Sequence, residues 1–135
     1  MSTTTDWKAQ YKSKLVSAAE AAATVKSGDW VLLSPVNSMP IDILNALAAR
    51  KEELHKVKLA SNLMTYPFAF LNGDYAGHIT YYSGYFGPAE RMFHPLGNVV
   101  PFPMHLSKSS IALDRQGVSD HIICIGEPPS LSGIG

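Results

Sequence analysis

Trp30-Val31-Leu32-Leu33 is a continuous apolar run with no polar interruption. Such a run reads as a strand buried on both faces, the habit of a parallel sheet. Beyond it, Ile41, Leu44, Leu47 and Ala48 recur at helical spacing and predict a helix with one apolar face. Val57-Lys58-Leu59-Ala60 predicts a second strand, so the three segments form a βαβ unit. Three further strands are predicted at His78–Tyr82, Asn98–Val100 and His121–Ile125, with short helices opening at Gly87-Pro88 and running from Leu106 to Leu113. Ser61 to Tyr75 reads as loop, with a turn at Asn72-Gly73-Asp74.

The polar positions mark where these elements begin and end. Asp6 suits the cap of a short helix from Trp7 to Ser13. Ser17-Ala18-Ala19-Glu20 has the form of a capping box, in which serine and glutamate each bond the other's backbone N–H. Gly28 suits a left-handed stop to that helix. Ser38 is expected to cap the helix after the first strand, with Pro40 in its first turn. The alternation predicts an α/β fold: an open, mostly parallel sheet with flanking helices. It occupies one domain, residues 6–126, followed by a Pro/Gly/Ser-rich tail at 127–135 with no predicted secondary structure. In open sheets of this kind ligands bind at the carboxyl ends of the strands. That rule selects Ser34–Ser38, Ser61–Met64 and Ser83–Gly87.

Composition narrows the chemistry. Eleven basic residues balance eleven acidic ones, so there is no basic field for a nucleic-acid backbone. No apolar stretch approaches the roughly 18 residues that span a bilayer, and no Lys/Arg run suggests a membrane surface. Only 16% of residues are charged, against about 25% in a typical soluble domain. Part of the exterior is therefore expected to be covered by a partner or a further domain. Cys124 is the only cysteine, which rules out an internal disulfide and points to a reducing, cytoplasmic setting, or a mitochondrial one in a eukaryote. The five histidines are scattered, so no metal is expected. His121 and Cys124 lie three apart in one predicted strand and point to opposite faces, against a thiol–imidazole pair. There is no Gly-x-Ser-x-Gly elbow and no glycine-rich phosphate loop. Tyr81, Tyr82, Tyr85 and Phe86 form an aromatic cluster with no basic groove beside it, read as core with a part walling a pocket.

Several segments, in order, resemble one family. Tyr11-Lys12-Ser13-Lys14-Leu15-Val16-Ser17-Ala18-Ala19-Glu20-Ala21 is similar to its opening, and Val25-Lys26-Ser27-Gly28-Asp29-Trp30-Val31 to its lead into the first strand. Leu44–Leu47, Arg50–Leu54 and Val57–Leu59 follow, then Ala76-Gly77-His78, Tyr82-Ser83 and Gly87–Met92. Together they resemble the acetyl-CoA hydrolase/transferase group, which includes butyryl-CoA:acetate and 4-hydroxybutyrate CoA-transferases.

The resemblance implies the amino-terminal half of a protein with two similar α/β halves. The implied reaction is ping-pong. A glutamate carboxylate attacks an acyl-CoA, a mixed anhydride and then a glutamyl-CoA thioester form, and a short carboxylic acid collects the CoA. The resemblance puts that glutamate in the other half, so Glu20, Glu52, Glu53, Glu90 and Glu127 are not cast as nucleophile; Glu90 is expected to pair with a neighbouring charge. It gives this chain substrate-binding positions only: Ser34, Asn37, Ser38, Met64, Tyr82 and Ser83, with Asn37 and Ser38 as donors to a carboxylate or oxyanion. The implied partners are acyl-CoA, a small carboxylate, and the second half or another copy of the chain. Coenzyme A enters as a substrate thioester, and no permanently bound cofactor is implied. The end of the chain fits least: relatives continue into S-P-P-D-x-x-G, where this chain has Pro128-Pro129-Ser130 and Gly133. A truncated domain is the expectation, with a non-catalytic acyl- or carboxylate-binding module, or an inactive remnant, as the competing readings.

Overall fold

The computed structural model describes residues 7–103, 105–108, 111, 114, 115 and 122–125. Two short helices come first, α1 (Trp7–Lys14) and α2 (Ala18–Ala23). They are followed by β1 (Trp30–Leu33), α3 (Ile41–Ala49), β2 (Val57–Ser61), β3 (Ile79–Ser83), α4 (Pro88–Phe93), β4 (Val99–Pro101) and β5 (Ile122–Ile125). The strands form one sheet in the order β4-β3-β2-β1-β5, and every pairing is parallel. The predicted α/β architecture is therefore the observed one. Asp6, His121 and the 127–135 tail lie outside the described residues, as does most of the helix predicted at Leu106–Leu113, of which a 3-10 turn at Leu106–Lys108 is described.

Register places Val31, Leu59, Tyr81 and Val99 in one row across the sheet. All four side chains are buried, under α2, α3 and the loop that carries Phe68 and Phe70. Because side chains alternate along a strand, the next row, Leu32, Ala60 and Tyr82, faces the other way. There a smaller cluster forms around Trp30, whose ring lies 5.1 Å from that of Tyr82. The Lys58 ammonium sits 5.0 Å from the Trp30 ring centroid, a cation–π arrangement.

The capping box forms as predicted. Glu20 N–H donates to Ser17 Oγ at 3.2 Å, and Ser17 N–H donates to the Glu20 carboxylate at 2.8 Å. The Ser17 hydroxyl, then its backbone amide, hold the Glu20 carboxyl below its usual pKa. A depressed carboxyl stabilises the fold above its unfolded value, and the contribution fades as pH falls through the folded one. Glu20→Ala is accordingly expected to lower the melting temperature more at pH 7 than at pH 3; equal losses would refute the cap's charge dependence.

Arg50, just past α3, ties that helix to α2. Its guanidinium donates to the backbone carbonyls of Ala22 and Val25, at 2.5 and 3.1 Å, and to Glu53 at 2.9 Å. Ala22 lies in the last turn of α2 and Val25 just beyond it, where carbonyls lack the usual helical N–H; Ala22 O also accepts from the Val25 N–H at 3.2 Å.

Two details of α3 differ from expectation. Ser38 does not cap it: the Ser38 hydroxyl and amide both donate to Pro35 O, closing a separate 3-10 turn at Val36–Ser38. Pro40 takes the cap position without a side-chain bond. Ile41 is 38% exposed, and Ile43 takes the inward place expected of it. The pairs Ile43/Leu47 and Leu44/Ala48, each four residues apart, fill the buried face, and Ile41 falls at its margin on the first turn.

Candidate functional site

Since all the strands are parallel, the segments after β1, β2 and β3 gather on one edge of the sheet. The strand order reverses between β1 and β5, and such a switch point is where open α/β sheets form their ligand crevice. The segment after β1 is Ser34–Pro40. Within it Val36 has φ +56°, a left-handed conformation in a β-branched residue. Leu63, in the segment after β2, has φ +50°. Each such residue stores about 1–3 kcal/mol, held only where its surroundings overdetermine it.

The surroundings do so here. Ser61 Oγ donates to Leu33 O and Thr65 Oγ1 to Val36 O, both at 3.2 Å, bracing the second segment against the first. Gly84 N–H donates to Ser61 O at 3.0 Å and Leu63 N–H to Tyr85 O at 3.3 Å, joining the second to the third. Gly84 and Gly87 suit this close approach, because a Cβ on the first would overlap the Asn62 side chain and on the second that of Leu63. Replacing Val36 tests the strain directly. Val36→Gly should be more stable than Val36→Ala by about 1 kcal/mol in urea unfolding, the cost of a left-handed non-glycine residue. Equal midpoints would mean that Val36 is not confined to that conformation.

Beneath the second and third segments lies Glu90, 1% exposed, in α4. Among the described residues it does not pair with a neighbouring charge as expected: its hydrogen-bonding partners there are neutral. Met64 N–H donates to Oε1 at 2.5 Å and Gly87 N–H to Oε2 at 3.0 Å. The Ser83 hydroxyl lies 3.1 Å from Oε1 and the Tyr81 hydroxyl 3.4 Å. Ser83 has a second acceptor, Tyr85 O at 2.8 Å, and its single proton serves one of the two at a time. A buried carboxyl is tolerable on these terms because donors replace the water it loses. Burial pushes the Tyr81 phenol well above its usual pKa, and the adjacent Glu90 carboxyl adds to that rise.

The six sequence-selected residues fall into three groups. Ser34, half-buried, and Asn37 and Ser38, exposed, line the first segment of the edge. Met64 and Ser83 are buried and meet at Glu90. Tyr82 points to the opposite face of the sheet and packs on Trp30. Sequence reasoning set Glu90 aside, although a signal was present. A glutamate three residues after the residue preceding a helix is the reach-back half of a capping box. Gly87 supplies no side chain for the other half, so only one half of the pattern is written in the sequence.

The chain matches the description "Acetyl-CoA hydrolase/transferase N-terminal domain" over residues 1–124. It belongs to that family. A protein named probable butyrate:acetyl-CoA coenzyme A-transferase, from Syntrophomonas wolfei, is 49% identical over 57 residues, covering 42% of this chain and 13% of that protein. A butyryl-CoA:acetate CoA-transferase from Anaerostipes caccae is 34% identical over 86 residues, covering 63% of this chain and 19% of the other. The crystal structure of RipA from Yersinia pestis superposes with a TM-score of 0.74 at 19% identity, over 95% of this chain and 32% of RipA. A point variant of RipA gives 0.77 at 20% identity over the same shares. At that identity the likeness concerns the fold. The matched regions span less than a third of the length of each of these relatives. No helix among the described residues is long and apolar enough to cross a membrane.

Proposed function

We propose that this domain is the amino-terminal part of an acyl-CoA:carboxylate CoA-transferase, and that it forms one wall of the acyl and carboxylate site. In this reading a glutamate on polypeptide outside these residues attacks the acyl-CoA carbonyl and expels the CoA thiolate, giving an enzyme-bound mixed anhydride. The thiolate returns to the glutamyl carbonyl and releases the first carboxylate. The acceptor carboxylate then attacks the glutamyl-CoA carbonyl and expels the CoA thiolate, forming a second anhydride; the thiolate attacks that anhydride's acyl carbonyl, giving the new acyl-CoA and freeing the glutamate. Asn37 and Ser38, exposed at the carboxyl edge, serve as donors to the substrate carboxylate or to the developing oxyanion. Ser34 lies beside them, and the substrate is a CoA thioester with a short carboxylic acid as acceptor.

The observation that supports this most is family membership over residues 1–124, together with one relative named for butyrate and acetyl-CoA and another for butyryl-CoA and acetate. The state of Glu90 agrees with it: a carboxyl 1% exposed and engaged by neutral donors is not free to attack a thioester.

The test is intact-mass spectrometry of the full-length protein mixed with butyryl-CoA, followed by peptide mapping. A covalent CoA adduct on a glutamate outside residues 1–135, and transfer of CoA to acetate, are expected. An adduct on Glu90 or another carboxyl of this chain would overturn the assignment of roles. Calorimetric binding of acetyl-CoA without turnover would instead make the protein a binding module.

A further inference from the structure

We propose that Glu90 is a positioning residue for the substrate edge: its carboxyl fixes the segments after β2 and β3, and through them the segment after β1. This rests on the CoA-transferase reading for what the edge binds, though the clamp itself is visible without it.

The donors to Glu90 come from three places in the chain. Met64 N–H belongs to the segment after β2, the Tyr81 and Ser83 hydroxyls to β3, and Gly87 N–H to the start of α4. One side chain thus holds two neighbouring segments at a common point. Met64 directly follows Leu63, which has φ +50°. Anchoring the Met64 amide orients the peptide that Leu63 must twist to make, so the bond helps keep Leu63 in a conformation it would otherwise leave. One residue further, Thr65 Oγ1 donates to Val36 O at 3.2 Å. The same anchor therefore extends to the turn that carries Asn37 and Ser38. An apolar side chain would fill the space but offer no acceptor to two backbone amides, each of which is costly to bury unpaired.

The two amides sit on different oxygens, Met64 on Oε1 and Gly87 on Oε2. Glu90→Gln keeps the shape but must turn an NH2 group toward one of them, replacing an acceptor with a donor. In the full-length protein this variant is expected to lower kcat/KM for butyryl-CoA by about 10- to 100-fold, mostly through KM, because a displacement of about 1 Å in positioning elements has effects of that size. Ser83→Ala, which removes one of the hydroxyl donors, should shift the same parameter less. Asn98→Ala is the control: Asn98 lies at the amino end of β4, away from this edge, and its loss should lower the melting temperature while leaving KM unchanged.

Amide hydrogen exchange gives a readout independent of activity. In Glu90→Gln, protection should fall at Met64 and Gly87 while Val57–Leu59 in β2 stays protected. A folded Glu90→Gln protein with unchanged KM, or protection falling equally at Val57–Leu59, would overturn the proposal. If Glu90→Gln does not fold, Ser83→Ala decides: no change in KM and no loss of protection at Met64 overturns it, and a change in both sustains it. A wild-type protein that transfers no CoA would remove the functional reading, whereas the exchange pattern would still decide the clamp.

Discussion

Asn98→Asp is expected to destabilise the domain by about 3–5 kcal/mol at pH 7, the cost of keeping protonated a carboxyl that would otherwise be an unpaired interior charge. Asn98 is 1% exposed. Its amide nitrogen donates to Phe70 O at 2.5 Å and to Ile79 O at 2.7 Å. Its Oδ1 is buried with no hydrogen-bond partner among the described residues. The amide orientation is fixed by this arrangement, since the flipped form would set an oxygen against two carbonyl oxygens. Aspartate creates that conflict in either rotamer. The folded state should therefore hold the introduced carboxyl protonated, with its pKa raised above the unfolded value of about 3.9. Where the folded state keeps a proton that the unfolded state releases, stability falls as pH rises. The penalty should be smaller below about pH 4, where the single O–H still leaves one of the two carbonyls without a donor, and grow above it until the folded carboxyl itself ionises. Urea unfolding of wild type and variant at pH 4 and pH 7 measures this. The same loss at both values would mean that the side chain escapes to solvent and that the packing around position 98 opens readily. Asn98→Ala, with no titrating group, should lose about 1–3 kcal/mol at both pH values.

The second large effect is expected at Phe70. Its ring is fully buried, stacked on Phe68 at 5.0 Å between centroids with planes 10° apart, and 6.4 Å from the Tyr81 ring. Truncation to alanine removes the contacts to both rings, and relaxation around Phe70 is limited because its carbonyl is held by Asn98. Phe70→Ala should cost about 3–5 kcal/mol and lower the melting temperature by about 10–20 °C in a domain of this size. Against a total stability of about 5–15 kcal/mol, that is enough to populate unfolded chain near physiological temperature. Tyr66 is the internal comparison. It touches Phe68 from the outside, with ring centroids 4.7 Å apart, and is 40% exposed. Tyr66→Ala should cost less than half as much in the same calorimetric scans. Equal losses would mean that the segment after β2 is a surface flap and not part of the core.

Both predictions concern a segment that the sequence presents as loop. From Ser61 to Tyr75 the polar and apolar residues follow neither a helical nor a strand period, and the chain indeed makes only 3-10 turns at Ala69–Leu71 and Gly73–Tyr75. What periodicity does not carry is burial. Phe68, Phe70 and Leu71 are each 1% exposed or less, because the segment folds over the helix-covered face of the sheet. Irregular backbone can be buried there since Asn98, distant in sequence, supplies a donor to the Phe70 carbonyl. The same kind of long-range supply explains the error at Ser38. Serine two residues before a proline-opened helix has the right local form for a cap, but Pro35 O offers a nearer acceptor and closes a turn first.

The α/β architecture, the strand positions within a residue or two, the Ser17/Glu20 cap and the left-handed backbone of Gly28 were all set by the chain's own short-range pattern, although α2 ends at Ala23 and Gly28 turns the chain after it and does not cap it. Each depends on interactions within a few residues, or on an apolar run whose burial needs no particular partner. The strained turns at Val36 and Leu63, the outward turn of Tyr82 and the enclosure of Glu90 were decided only by tertiary structure. A carboxyl on a short helix reads as a surface charge until the fold brings backbone amides and hydroxyls from two strands' ends around it, and no local period records where those donors will come from.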